Sequence, residues 1–213
     1  MRCDRKTMRL YAVTDRAWVG QGTLGDQVEQ ALRGGVTCVQ LREKSLGVPA
    51  ILVEAEEIGA LCRSYGVPFL INDRVEIALQ CGADGVHVGQ KDRAAREVRR
   101  LLGPNRILGV SARTVEQAVQ AERDGADYLG VGAVFSTSTK ADAMPVSYET
   151  LQAICRAVSI PVVAIGGIPR ENLLSLAGRG VDGVALVSAI FPAPDVETAS
   201  RELRALSEAM VRA

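Results

Sequence analysis

The sequence is poor in the residues from which zinc centres and disulfide frameworks are built. Its 213 residues include one histidine, one tryptophan and five cysteines, and the cysteines are odd in number and contain no Cys-x-x-Cys pair. A dedicated zinc site of histidine and cysteine ligands is therefore excluded. The cysteines are predicted to be small packing residues kept reduced, as is typical of a cytoplasmic protein.

An excess of one charge and a long hydrophobic segment are also missing. Lysine plus arginine and aspartate plus glutamate number 25 each, whereas duplex-binding proteins usually show a basic excess. No apolar run approaches the roughly 18 residues of a membrane span. The polar N-terminus lacks the hydrophobic region of a signal peptide. We therefore expect a cytoplasmic protein that binds neither nucleic acid nor membrane.

What the sequence does contain is a series of eight short apolar segments rich in valine, isoleucine and leucine. Most of them run apolar without alternation, which is typical of parallel strands buried on both faces. The predicted strands are Leu10–Thr14, Val36–Leu41, Pro68–Asn72, Gly85–Val88, Ile107–Ser111, Tyr128–Val131, Pro161–Ile165 and Gly183–Val187.

Segments with helical spacing separate these strands, and turns such as Gly82-Ala83-Asp84 connect several helices to the next strand. Eight strand–helix units in about 200 residues predict a single (β/α)8 TIM barrel over residues 8–213, preceded by a loose polar extension over residues 1–7. The alternative is a doubly wound sheet. That fold would place a phosphate-binding glycine turn after the first strand, and Leu10–Arg16 has none.

Polar residues and glycines cluster where the predicted strands end, and in a TIM barrel these ends meet at one mouth. Gly166-Gly167 allows close backbone approach of an anion, and the helix predicted to follow would present its N–H groups. Val187 and Ser188 add amides and a hydroxyl, and Thr137, Ser138, Thr139 and Lys140 add three hydroxyls and an ammonium. Taken singly these are ordinary turns or solvated loops, but together they predict phosphate binding.

Asp73 and Asp92 form the candidate metal pair, because Mg²⁺ prefers oxygen ligands. Each of them alone is more simply interpreted as the N-cap of the helix that follows it. His87, the one histidine, is interpreted as a hydrogen-bonded packing residue rather than an acid or base. A site rich in anion ligands and poor in general bases suits a reaction in which a diphosphate leaves.

The sequence resembles the thiamine phosphate synthase family from about residue 8 to residue 191. The stretches that carry the resemblance are Leu10–Asp15, Gln40–Lys44, Asn72–Arg74, Gly85–Asp92, Gly109–Ser111, Gly132–Lys140, Ala164–Ile168 and Val184–Ile190. The resemblance implies a transferase that joins a hydroxymethylpyrimidine diphosphate to a hydroxyethylthiazole phosphate, or to its carboxylated form, and releases pyrophosphate.

The resemblance also implies roles for individual residues. Gln40 would bind the aminopyrimidine edge, and Asp73 and Asp92 would hold Mg²⁺. Ligands of the diphosphate would be Arg42, Lys44, Asn72, Ser111 and Lys140, of which Arg42, Lys44, Ser111 and Lys140 are the candidate catalytic residues. Ligands of the thiazole phosphate would be Thr137, Ser138, Thr139, Gly167, Val187 and Ser188. Leu41 and Glu43 join the substrate-binding set as members of the stretch Gln40–Lys44.

Two departures and three alternatives accompany this interpretation. Ser136 stands where the family often has proline, and Lys91 stands where an acidic residue is frequent. A related group of enzymes with the same fold isomerises a thiazole carboxylate phosphate, but these enzymes typically lack the full set of metal and diphosphate ligands. A non-catalytic binder of thiamine phosphate would need no metal ligands, and a sugar-phosphate isomerase would need a paired acid and base. A homo-oligomer is compatible with the sequence.

Overall fold

The computed structural model describes residues 3–19, 22–136 and 145–213, and eight parallel strands close into a barrel. Each strand pairs with its neighbours in chain order, and the last pairs with the first. The strands are β1 (Leu10–Val13), β2 (Cys38–Leu41), β3 (Phe69–Asn72), β4 (Gly85–Val88), β5 (Ile107–Ala112), β6 (Tyr128–Val131), β7 (Val162–Ile165) and β8 (Gly183–Leu186). The predicted TIM barrel is confirmed, and the doubly wound sheet is wrong.

Helices follow the strands around the outside of the barrel. They are α1 (Leu24–Arg33), α2 (Val48–Ser64), α3 (Val75–Gln80), α4 (Ala95–Leu102), α5 (Val115–Arg123), α6 (Tyr148–Ala157) and α7 (Val196–Arg212). Where the sequence predicted an α-helix after β7, the chain forms a 3₁₀ segment, Arg170–Leu176. Its buried residues Leu173 and Leu176 are three positions apart, which suits the three residues per turn of a 3₁₀ helix. No helix within the described ranges is both long and apolar enough to cross a membrane.

Two apolar layers hold the barrel together. The larger one lies between the strands and the helices. The smaller one fills the barrel interior, where Tyr11 and Tyr128 are packed with aliphatic side chains and the buried thiol of Cys38. All five cysteines are free thiols, as the sequence predicted.

The recurring turn before a strand has a second structural role. Asp84, Asp127 and Asp182 each accept a hydrogen bond through the carboxylate from the backbone N–H at the start of the preceding strand. The carboxylate oxygens lie 2.9, 2.7 and 2.9 Å from the backbone nitrogens of Phe69, Leu108 and Val162, respectively. These contacts tie neighbouring strands together at the end of the barrel opposite the mouth.

The described part of the N-terminal extension is anchored to the barrel rather than loose. The Arg5 guanidinium lies 2.5 Å from the carboxylate of Asp182. Cys3 packs against the interior cluster, and burial raises the pKa of its thiol to about 12. The extension therefore covers the end of the barrel opposite the mouth.

Candidate active site

A cavity of about 180 Å³ opens at the carboxyl ends of the strands, and residues from all eight strands or the loops after them line it. The predicted site residues that line it are Gln40, Arg42, Asn72, Ser111, Gly167, Val187 and Ser188. Thr137, Ser138, Thr139 and Lys140 lie outside the described residues. The predicted convergence of strand ends therefore brings together chemistry from five strands, β2, β3, β5, β7 and β8.

Asp73 and Asp92 are close to each other, although neither lines the cavity itself. Their carboxyl groups are close enough to interact electrostatically, and the Lys44 ammonium lies 3.6 Å from Asp73. Burial, and then the contact with Asp92, raises the pKa of Asp73, while Lys44 acts in the opposite direction. Neither residue caps a helix, because α3 follows Arg74 and α4 follows Ala94. The helix-cap interpretation of these two residues is wrong.

The backbone at Asp73 orients this pair. Asp73 adopts a left-handed conformation with φ of 62°, which aspartate tolerates better than most residues do. Its N–H donates to the carbonyl of His87 at 2.8 Å, and the next N–H, from Arg74, donates to the carbonyl of Asn72 at 2.7 Å. This tight turn ends β3, so that Asn72 contributes to the cavity while Asp73 contacts Asp92.

The donor set suits Mg²⁺ better than it suits a softer metal. Two adjacent carboxylates could supply oxygen ligands, and Mg²⁺ is commonly held by one or two carboxylates together with substrate phosphates. Within residues 3–19, 22–136 and 145–213, no cluster of three or more histidine, cysteine or acidic side chains could enclose a metal. An ion at Asp73 and Asp92 would therefore need ligands from water or substrate to complete its shell.

Along β2 and the loop that follows it, side chains that line the cavity alternate with side chains that do not. Gln40 and Arg42 line the cavity, whereas Leu41 is buried in the layer between the strands and the helices. The Glu43 carboxylate accepts hydrogen bonds from the backbone of Ser45 in its own loop at 2.6 Å and from Arg16 in the segment after β1 at 2.6 Å. Successive side chains of a strand face opposite sides, so Leu41 and Glu43 do not line the cavity.

The loops after β6 and β7 pack backbone against backbone, and glycine makes this possible. A Cβ at Gly167, where φ is +64°, would lie 2.2 Å from the carbonyl oxygen of Ser136. The N–H of Phe135 donates to the carbonyl of Gly166 at 3.1 Å. The predicted helix after this turn is the 3₁₀ segment that starts at Arg170, so an anion here would depend on loop amides rather than on an α-helix terminus.

A hydrogen-bonded chain of side chains crosses the floor of the cavity. Gln40 donates through Nε2 to the Tyr11 hydroxyl at 2.6 Å, and the hydroxyls of Tyr11 and Tyr128 are 2.8 Å apart. His87 Nδ1 lies 2.8 Å from the Tyr128 hydroxyl, and His87 Nε2 lies 2.9 Å from the Ser111 hydroxyl. The interpretation of His87 as a hydrogen-bonded residue is therefore confirmed, although the imidazole also lines the cavity.

The sequence prediction assigned no individual role to four polar residues that line the cavity or form its floor: Tyr11, Tyr128, Gln90 and Arg113. The amide of Gln90 donates to the Ser111 carbonyl at 2.6 Å, and Arg113 stands two residues beyond Ser111. The signal for Arg113 was this spacing of two from Ser111, because alternate residues of a strand share a face. Each tyrosine carries a polar hydroxyl within an apolar strand segment, and a buried hydroxyl requires a partner.

Comparisons with known proteins identify the family to which the chain belongs. Residues 10–190 match the family model described as thiamine monophosphate synthase. The chain is 52% identical to the thiamine-phosphate synthase of Ruminiclostridium cellulolyticum over 91% of this chain and 92% of that protein. It is 48% identical to the enzyme of the same name from Clostridium tetani over 91% of this chain and 93% of that protein. A solved structure, the thiamine phosphate pyrophosphorylase from Pyrococcus furiosus, is 39% identical with a TM-score of 0.89 and covers 97% of this chain and 98% of its own.

Proposed function

The chain belongs to the thiamine monophosphate synthase family and is a transferase of thiamine biosynthesis; we propose that its substrates are 4-amino-2-methyl-5-hydroxymethylpyrimidine diphosphate and hydroxyethylthiazole phosphate, or the carboxylated form of the latter. The products would be thiamine phosphate and pyrophosphate and, from the carboxylated substrate, also carbon dioxide. The observation that carries the proposal is that Gln40, Arg42 and Ser111 line one cavity whose edge adjoins the Asp73–Asp92 pair.

The cavity offers complementary groups to each part of the first substrate. Gln40 gives one N–H to Tyr11, which leaves its carbonyl oxygen available to accept from the amino group of the pyrimidine. Arg42, Asn72 and Ser111 supply a cation and polar groups for the diphosphate. The thiazole phosphate is proposed to bind at Gly167, Val187 and Ser188, with the sequence adding Thr137, Ser138 and Thr139.

Mg²⁺ at Asp73 and Asp92 would neutralise charge on the diphosphate leaving group. Lys44 lies 3.6 Å from Asp73, so this ammonium is near enough to act on the same group. Lys140 is proposed from the sequence as a further cation. Together these residues would hold the leaving group in place and would stabilise the negative charge that develops on it.

The proposed chemistry needs little proton transfer from the protein. The bond between the pyrimidine methylene carbon and the diphosphate oxygen breaks, and its electron pair leaves with pyrophosphate. The electron-rich aminopyrimidine stabilises the methylene cation until the thiazole nitrogen donates its lone pair and the C–N bond forms. Substrate orientation and the electrostatic field of the site then carry most of the catalysis.

Ser111 and His87 are spaced like a nucleophile and its base, which raises hydrolysis as a second candidate function. Their side chains are 2.9 Å apart. The third partner of a hydrolytic triad is a carboxylate that stabilises the imidazolium. Here the partner on His87 Nδ1 is the hydroxyl of Tyr128, whose pKa burial raises well above its usual range. A neutral hydroxyl stabilises an imidazolium much less than a carboxylate does, so the geometry favours the transferase.

Pyrophosphate release tests the proposed function. We expect release that requires both substrates and magnesium and that matches the thiamine phosphate formed. Release from the pyrimidine diphosphate alone at the full rate would favour the hydrolase. Conversion of a thiazole carboxylate phosphate without release would favour the tautomerase, and tight magnesium-independent binding of thiamine phosphate without turnover would favour the binder.

A further inference from the structure

The hydrogen-bonded chain on the cavity floor connects two distant parts of the proposed site. It runs from Gln40 on β2 through Tyr11 and Tyr128 to His87 and ends at Ser111 on β5. No link is longer than 2.9 Å. The chain therefore joins the residue proposed for the pyrimidine to a residue proposed for the diphosphate.

The barrel strands leave room for the rings of this chain. A Cβ at Gly109 would lie 2.2 Å from the Tyr128 ring, and a Cβ at Gly130 would lie 3.1 Å from the His87 ring. Any larger residue at Gly109 would displace the tyrosine. Two neighbouring strands thus carry glycine at the points where the rings pass, which fixes the rings within hydrogen-bonding distance of one another.

With a neutral imidazole at His87, proton counting gives the hydrogen-bonded chain two self-consistent directions. Burial raises the pKa of Tyr11 and of Tyr128 well above the usual range, so each keeps one O–H proton and donates once. With Gln40 Nε2 facing Tyr11, the tyrosines donate in turn towards His87 Nδ1, His87 donates from Nε2, and the Ser111 hydroxyl proton is available to the cavity. With the Gln40 amide reversed, every donor reverses, and Ser111 donates to His87 instead.

We propose that Tyr11, Tyr128 and His87 are positioning residues, which hold the hydrogen-bonded chain in the first direction. In that direction the Gln40 carbonyl oxygen and the Ser111 hydroxyl proton both face the cavity. This inference rests on the proposed function for its ligand. The amino group of the pyrimidine needs an acceptor, and the diphosphate needs a donor. One substrate therefore satisfies both ends only when the chain runs in this direction, and an ester that lacks the amino group would lose this advantage.

The Cys38 thiol, which also contacts the Tyr11 hydroxyl, does not change this count. Burial raises the pKa of Cys38 well above its usual range, so the thiol stays protonated. A thiol is a weak donor and a weak acceptor. It therefore competes poorly with the hydroxyl of Tyr128 for the proton of Tyr11.

The tautomer of His87 reports the direction of the hydrogen-bonded chain. It can be measured without assignment ambiguity, because His87 is the one histidine of the sequence. Nitrogen-15 NMR of the imidazole in the free protein is expected to show the neutral Nε2–H tautomer. Tyr128→Phe keeps the ring but removes the donor to Nδ1, and should shift the tautomer ratio by about fivefold. Tyr65→Phe, at an exposed tyrosine, should leave the spectrum unchanged. A wild-type Nδ1–H tautomer, or no change in Tyr128→Phe, would overturn the proposal.

A second measurement asks whether the chain acts through Ser111. In pyrophosphate titrations we expect Tyr128→Phe and Ser111→Ala each to weaken binding about fivefold, and the double variant to bind no more weakly than Ser111→Ala alone. Additive losses would show general damage to the packing and would overturn the coupling. If Tyr128→Phe does not fold, Tyr11→Phe interrupts the chain one link earlier. Absence of pyrophosphate binding in the wild type would refute the proposed function, while the tautomer would still decide the direction of the chain.

Discussion

Replacing Glu43 by glutamine tests how the loop that carries Arg42 and Lys44 is held. The Glu43 side chain is 3% exposed, and its carboxylate accepts hydrogen bonds from the backbone of Ser45 and Leu46 and from Arg16. Burial alone would raise the pKa of Glu43. The hydrogen bonds and the Arg16 guanidinium outweigh burial and lower this pKa from 4.5 to about 2.

The magnitude follows from the difference between these pKa values. A carboxyl whose pKa is lowered from 4.5 to about 2 on folding contributes about 3 kcal/mol to the free energy of unfolding at neutral pH. Because the folded pKa is the lower one, this contribution is complete above pH 4.5 and is lost as the pH falls towards 2. At pH 3.5 about 2 kcal/mol should remain.

Urea unfolding of the wild type and Glu43→Gln at pH 7 and pH 3.5 measures this contribution. We expect Glu43→Gln to be less stable by about 3 kcal/mol at pH 7 and by about 2 kcal/mol at pH 3.5. Glu56→Gln, at an exposed position on α2, should change stability by less than about 0.5 kcal/mol at either pH. A Glu43→Gln difference that is equal at the two pH values, or that falls below about 0.5 kcal/mol at pH 7, would refute the reasoning.

Two further predictions concern the edge of the cavity and the glycine turn. Asp92→Asn should raise the magnesium concentration for half-maximal activity at least about tenfold, because it removes one of two carboxylates; an unchanged titration, or an equal change in the control Asp195→Asn at the start of α7, would contradict metal binding. Gly167→Ala should lower the melting temperature and raise KM for the thiazole phosphate, because its Cβ would lie 2.2 Å from the Ser136 carbonyl. Gly178 has a similar φ of +69°, but no atom lies within 4 Å of an added Cβ there. If Gly178→Ala lowered the melting temperature as much as Gly167→Ala, the backbone conformation alone would explain the loss.

The barrel could be predicted because its strands are short apolar segments buried on both faces, and the turns between them recur. The predicted strand Gly85–Val88 has the observed bounds, whereas β2 begins at Cys38, two residues later than predicted. The helix predicted after β7 was wrong because its apolar residues fit a three-residue spacing as well as a helical one. Leu173 and Leu176 are buried, while Leu174 is 48% exposed.

The cavity floor could not be predicted in the same way, because its contacts join residues far apart in the sequence. Tyr11 and Tyr128 are 117 residues apart and meet only when the barrel closes. Within its strand segment, each tyrosine looks like an ordinary apolar core residue. The two hydroxyls are hydrogen-bonded to each other, and β2 and β4 supply their other partners, Gln40 and His87. Periodicity reports which face of a strand is buried, and it carries no information about which polar atoms meet there.

The stretch Gln40–Lys44 illustrates why a contiguous motif is not a contiguous site. Gln40 and Arg42 line the cavity, while Leu41 packs outward and Glu43 holds its loop. Both sets should be needed, since a cation placed on an unsupported loop would lose its position relative to the proposed diphosphate site. Substitutions at Leu41 and Glu43 should therefore change stability before they change turnover. Substitutions at Gln40 and Arg42 should change turnover in a protein that still folds, so a mutational survey of this stretch should separate into two alternating classes.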